Sequence, residues 1–136
     1  MSNENELRQG TSARVVWKGS QVRIIYVAGA YRSPTHWGIV LNVRAAEAVA
    51  LQVWQTGCVA YCPHLNTANF QGALPDEVWA AGHMAMLERC DAVILVPGHE
   101  HSAGTHAEIV RALDLGKLVF TSMYGLKTWL DREEEK

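Results

Sequence analysis

The sequence is poor in several things, and each shortage excludes a class. Only three cysteines occur in the 136 residues, Cys58, Cys62 and Cys90. An odd count with no CxxC pair does not describe a disulfide-stapled secreted scaffold and fits a reducing cytoplasm. Neither sign of charge dominates, since 12 basic side chains face 14 acidic ones for a net charge of -2. A nucleic-acid backbone needs a concentrated basic surface, so a small molecule is the expected partner instead. No apolar run approaches the roughly 18 residues of a membrane span. The opening Met1 to Gly10 is polar and carries no signal-peptide core. No GxxxxGK[ST] or GxGxxG loop follows a strand, so both common phosphate fingerprints, for nucleoside triphosphates and for dinucleotides, are lacking. Internal repeats and low-complexity tracts are lacking as well.

What is present is a hydrophobic content of 49%, enough for one globular domain with a core that needs no structural metal. Residues 1–20 read as a flexible leader with one short edge strand around Val15, Val16 and Trp17, and residues 21–136 as a single domain. The β-branched run from Val22 to Gly29 reads as a buried central strand. Ser33 and Pro34 open a helix that Gly57 closes, with Leu41, Ala45, Ala48, Val49 and Val53 at helical spacing. Cys58 to Cys62 is a second strand, followed by a long loop to Leu74. Pro75, Asp76 and Glu77 begin a helix that runs to about Arg89. Ala92 to Val96 is a third strand. A loop then leads into a helix from Gly104 to Leu115, ended by Gly116, and Leu118 to Thr121 is a fourth strand before a short terminal helix. Strands alternating with helices predict an α/β fold, a three-layer open parallel sheet of four to five strands, Rossmann-like or flavodoxin-like. Ligands of such sheets bind at the carboxyl ends of the strands, which nominates the loops after Gly29, Pro63, Pro97 and Thr121.

The segment from Ser102 to Glu108 carries the most chemistry. Gly104 and Thr105 lie in the first helical turn, whose free N–H groups and positive end suit a phosphate, with the hydroxyls of Ser102 and Thr105 beside them. Ser102 equally suits a simple N-cap. Glu108 follows one turn on, at the border of an apolar face of Ile109, Ala112 and Leu113, and tilts back toward the same mouth. Its alternative is a surface acid interacting with Arg111. Tyr26 places a phenol near the switch point, where it can orient a carboxylate or pack in the core. Gly29 allows close approach to a ligand, Tyr31 or Trp37 can stack on a flat ring, and Arg32 can take a phosphate or a base edge.

Metal and thiol readings are weaker. Cys58 and Cys62 on one strand stand roughly 13 Å apart, too far for one zinc. His99, Glu100, His101 and His106 follow no recognised ligand frame. No metal or cofactor is expected, and the cysteines read as small buried apolar groups.

Taken together, Tyr26-Val27-Ala28-Gly29, Cys62-Pro63-His64, Arg89-Cys90-Asp91-Ala92 and Ser102-x-Gly104-Thr105-x-x-Glu108 resemble the nucleoside 2-deoxyribosyltransferase superfamily over about residues 22 to 122. The closest likeness is to its small phage and bacterial branch and to its 5′-monophosphate N-glycosidases. The resemblance implies that Glu108 attacks the anomeric carbon of a nucleoside and that Tyr26 hydrogen-bonds it. Transferases carry aspartate at the position of Ser102, whereas the monophosphate glycosidases carry serine, which implies hydrolysis of a (deoxy)nucleoside 5′-monophosphate, or base exchange through the same intermediate. Ser102, Gly104 and Thr105 would take the phosphate, with Arg32, His64 and Asn66 available for phosphate or base. A second superfamily carboxylate falls here on His83, which either supplies the proton to the departing base or marks a site that has lost that step. The alternative function is therefore a catalytically weak nucleotide-binding or sensing module. The superfamily also implies a homodimer or higher oligomer, with Trp129 and Leu130 as interface residues.

Overall fold

A computed structural model describes residues 21–135; the expected leader and the edge strand at Val15 to Trp17 lie outside these residues. Four strands form one parallel sheet, β1 (Ile24–Ala28), β2 (Val59–Tyr61), β3 (Ala92–Leu95) and β4 (Leu118–Phe120), in the order β2-β1-β3-β4. Alternation along the strands sorts the core into two clusters. Ile25, Val27, Ala92 and Ile94 face one side, under helices α1 (His36–Gln55) and α5 (Met123–Glu134). Tyr26, Ala28, Val93 and Leu95 face the other, under α3 (Asp76–Arg89) and α4 (Ala103–Asp114). The result is a Rossmann-like three-layer α/β fold with flavodoxin-like strand order. Asp91 aligns its two central strands: its N–H donates to Ile24 O and its Oδ2 accepts from Ile24 N, each at 2.7 Å.

Several local expectations are revised. Thr35, not Ser33, caps α1 by accepting from Gly38 N at 3.0 Å. A Cβ on Gly38 would stand 1.9 Å from Ser33 Oγ, so the loop folds tightly enough that the cap falls two residues later. The helix carries apolar side chains nearly all round, and the sheet takes the stripe of Ala46, Val49, Ala50 and Val53. Two alanines there let the helix sit close to the strands, which leaves Leu41, Ala45 and Ala48 outside. The expected long loop after β2 is wound into a short helix, α2 (Pro63–Thr67), and a 3₁₀ turn at Ala68–Phe70. Proline at the first helical position of α2 costs no hydrogen bond, because that N–H has no partner in any helix. Leu113 of α4 is exposed, and Thr105 and Ala112 are the residues that α4 buries. Trp129 and Leu130 pack on the protein's own core, and Trp129 contacts Phe120 with ring centroids 5.5 Å apart. All three cysteines are buried and free, and burial pushes the Cys90 thiol up to about 11. None of the helices among the described residues is long and apolar enough to cross a membrane.

Gly29 is fixed by packing. A Cβ there would stand 2.6 Å from Val96 Cβ, and Val96 N already donates to Ala28 O at 2.8 Å. The clash is with the stem of a buried side chain and cannot be relieved by a rotamer change. We expect Gly29→Ala to lower unfolding free energy by about 2 kcal/mol in a urea titration, as overpacking of a filled core does.

Candidate functional site

The chain leaves β1 toward β2 on one side and β3 toward β4 on the other, so a crevice opens at the carboxyl ends of β1 and β3. A cavity of about 460 Å³ occupies it, within the range of small-molecule sites. Glu108 lies in this cavity, with the first turn of α4 on one side and the β1–α1 loop on another.

Glu108 and Tyr26 meet because α4 crosses the sheet face toward which Tyr26 points. The Tyr26 hydroxyl donates to Glu108 Oε2. Burial raises the Glu108 carboxyl to about 7, against the lowering effect of that bond. Burial first, and the neighbouring carboxylate second, raise the Tyr26 phenol well above its ordinary range, so it keeps its proton and remains a donor. Arg111 does not reach Glu108; its Nη2 pairs with Glu88 Oε2 at 2.8 Å.

At the mouth, Ser102 caps α4. Its Oγ accepts from Thr105 N at 3.1 Å and from Thr105 Oγ1 at 2.9 Å. Both acceptor positions of a hydroxyl oxygen are thereby filled, and Ser102 has only its own hydrogen to offer a ligand. Gly104 is open: a Cβ there would meet nothing closer than Ser102 Oγ at 4.0 Å.

The β1–α1 loop is held from behind by Asn42, whose Nδ2 donates to Tyr31 O at 3.0 Å. In front it is tied to α3. Tyr31 OH donates to Gln71 Oε1 at 2.9 Å, Gln71 Nε2 to Asp76 Oδ1 at 3.2 Å, and Arg32 Nη2 to Asp76 Oδ2 at 2.7 Å. The hydrogen bond from Arg32 is the main cause that holds Asp76 below its ordinary carboxyl range.

His64 is buried, and its Nε2 donates to Ala30 O at 2.8 Å while Nδ1 has no partner among the described residues. Desolvation lowers its pKa. His83 belongs to a chain with one direction. Thr67 Oγ1 donates to Pro63 O at 3.4 Å and so accepts from His83 Nε2, which leaves Nδ1 of the neutral ring to accept from Tyr61 OH at 2.8 Å, itself an acceptor from Asn66 Nδ2 at 3.0 Å. His83 Nε2 then carries the ring proton, facing Thr67 Oγ1 at 2.9 Å. Desolvation, with a smaller effect of His64, lowers the His83 pKa and favours this neutral form.

The residues nominated from the sequence are thus largely brought together. Gly29, Tyr31, Arg32, His64, His83, Ser102, Gly104, Thr105 and Glu108 line one cavity, with Tyr26 behind Glu108. Asn66 is exposed and lies outside the lining, where it serves Tyr61. Trp37 is also outside, beneath the Arg44 guanidinium at 5.5 Å. Sequence reasoning missed Gln71, Asp76 and Trp79, which line the cavity, while Thr67 and His101, which also line it, fall in two of the nominated loops. The spacing of Asp76, Trp79, Ala80 and His83, one stripe along a helix, was the available signal. Trp79 stacks on Phe70, and its Nε1 is buried without a partner among the described residues. Among the described residues no three His, Cys, Asp or Glu side chains gather as a metal site.

Fold and site together define a small open-sheet α/β protein with a half-buried carboxylate and a capped helix entrance at its switch point. The chain belongs to the family described as a domain of unknown function, DUF4406, whose model matches residues 24–121. A search of curated proteins found no match.

Proposed function

We propose that the protein hydrolyses the N-glycosidic bond of a nucleoside 5′-monophosphate, with Glu108 as nucleophile and a deoxynucleotide as the first substrate to try. The observation that carries this reading is the pair Glu108–Tyr26 in a nucleotide-sized cavity entered past a serine that can only donate. A phosphate accepts hydrogen bonds and suits that donor together with the free N–H groups of the α4 entrance. The likeness of Ser102-x-Gly104-Thr105-x-x-Glu108 to the 5′-monophosphate N-glycosidases supports the same assignment.

Ionised Glu108 attacks C1′ while the C1′–N bond breaks, its electron pair leaving with the base. Tyr26 fixes the attacking carboxylate and stays protonated throughout. Water then attacks C1′ of the glycosyl ester, the C1′–O bond to Glu108 breaks to regenerate the carboxylate, and the proton of the attacking water passes to solvent, replacing the one given to the base. His83 has both ring nitrogens engaged and Asp76 is ionised beside Arg32, so water at the cavity mouth protonates the departing base. An acceptor base in place of water turns the same intermediate into base exchange. The chemistry calls for no metal or cofactor.

The same engagement of His83 and Asp76 favours a second reading, a nucleotide-binding or sensing module without turnover. One experiment separates the two. Each ribo- and deoxyribonucleoside 5′-monophosphate is incubated with the protein, and free base is followed by chromatography beside Glu108→Ala. Base release that depends on Glu108 establishes hydrolysis. Ligand-induced thermal stabilisation with no base released establishes the binding module.

A further inference from the structure

Helix α1 has a second apolar stripe that no other element among the described residues covers. Trp37 (58% exposed), Leu41 (46%), Leu51 (58%) and Trp54 (50%) stand on the side turned away from the sheet. Helical geometry places Trp37, Leu41, Arg44, Ala48 and Leu51 within an arc of about 80°, with Glu47 and Trp54 along one edge. The stripe follows the whole 20-residue helix, about 30 Å of it. Contiguous apolar surface of this extent on a helix marks an interaction site.

The order of residues along the stripe says what covers it. Counted outward from Ala46, Arg44 and Glu47, then Leu41 and Leu51, then Trp37 and Trp54 fall at near-equal distances on opposite sides. A surface with this arrangement is complementary to itself when turned end for end. From it we infer that α1 pairs antiparallel with α1 of a second copy of this chain, about a two-fold axis beside Ala46.

In that pairing Leu41 meets Leu51 of the second copy, and each Trp37 meets Trp54. Arg44 comes level with Glu47 of the second copy, on the same side of the axis, and symmetry makes two such ion pairs. Ala45 and Ala48 at the centre allow close approach of the two helices. Arg44 and Glu47 are both exposed, and Arg44 already lies along the stripe with its guanidinium 5.5 Å from the Trp37 ring. An interface of this kind is isologous, which is the commonest solution for a soluble homodimer. It uses neither Trp129 nor Leu130, and it stands apart from the question of what the cavity binds. Through Asn42, which holds Tyr31 O and Arg32 O at 3.0 and 3.3 Å, the same helix also supports one wall of the cavity.

The test is sedimentation equilibrium of the full chain across a dilution series. The wild type is expected at twice the 15.0 kDa protomer mass. Arg44→Glu and Glu47→Arg each replace two attractions by two repulsions and are expected to weaken association by about tenfold or more. The double variant Arg44→Glu/Glu47→Arg restores opposite charges and is expected to recover wild-type association. Circular dichroism checks that each variant is folded, and Arg44→Gln and Glu47→Gln replace any that is not. A wild type that stays a monomer at every concentration overturns the inference. So does a dimer indifferent to both single reversals, or a double variant that remains as dissociated as the singles.

Discussion

Glu108→Gln is expected to reduce base release by about 10⁴-fold or more, the scale on which removal of a nucleophile acts, and at the same time to stabilise the protein. The second effect follows from where the carboxyl group sits. Its folded-state value lies near 7 against 4.5 in the unfolded chain. The folded protein therefore holds a proton that the unfolded chain releases, and stability is lost as pH rises from 4.5 through 7. A shift of this size corresponds to about 3 kcal/mol. Glutamine carries no charge to desolvate, so the variant escapes the loss. Melting curves of the two proteins should nearly coincide at pH 4.5 and differ by about 10 °C at pH 8. His64 and His83, whose lowered values destabilise the fold as pH falls below about 6.5, are present in both proteins and cancel from the comparison. In the wild type, base release should rise about tenfold per unit below pH 7 and level off above it, since only ionised Glu108 attacks. A flat profile, or a variant less stable than wild type at pH 8, would contradict the assignment of a carboxylate held up by desolvation.

The second large effect concerns choice between substrates. Aspartate is as good an N-cap as serine, so Ser102→Asp should leave the fold intact, with Oδ accepting from Thr105 N and Oγ1 as Oγ now does. It removes the side-chain hydrogen that Ser102 offers a phosphate and adds a negative charge in its place. Loss of a charge-assisted hydrogen bond together with repulsion should lower kcat/KM for a nucleoside 5′-monophosphate by about 100-fold or more. Turnover of the unphosphorylated nucleoside should persist or increase. Parallel assays on a nucleotide and its nucleoside read this directly. Equal losses on both substrates would show that Ser102 serves only the helix.

Much of this architecture was legible in the residues. Strands with apolar side chains on both faces, separated by helices, leave few alternatives to a parallel sheet, and its switch point locates the crevice before any contact is known. Glu108 and Tyr26, 82 positions apart in the chain, were paired only by resemblance. Two kinds of feature were not legible. One was the choice between competing apolar stripes on α1, because hydrophobic spacing shows that a helix is amphipathic or nearly uniform without showing which side meets the sheet. The other was the wall contributed by α2 and α3. A polar segment from Thr67 to Leu74 reads as a loop, and its hydrogen bonds to Asp76 and His83 depend on a turn at Gly72, at φ 87°, that no periodicity announces.

The cap and the carboxylate also share one rigid element. Glu108 stands six positions after Ser102, the cap of α4, so the helical rise sets an axial span of about 9 Å between their backbones. That span acts as a ruler. A ligand that engages both ends must carry its anionic group and its reacting carbon at a matching separation, and neither end can adjust without moving the whole helix. On the proposed function, the mono-, di- and triphosphates of one nucleoside assayed side by side would read how strictly this spacing discriminates between them.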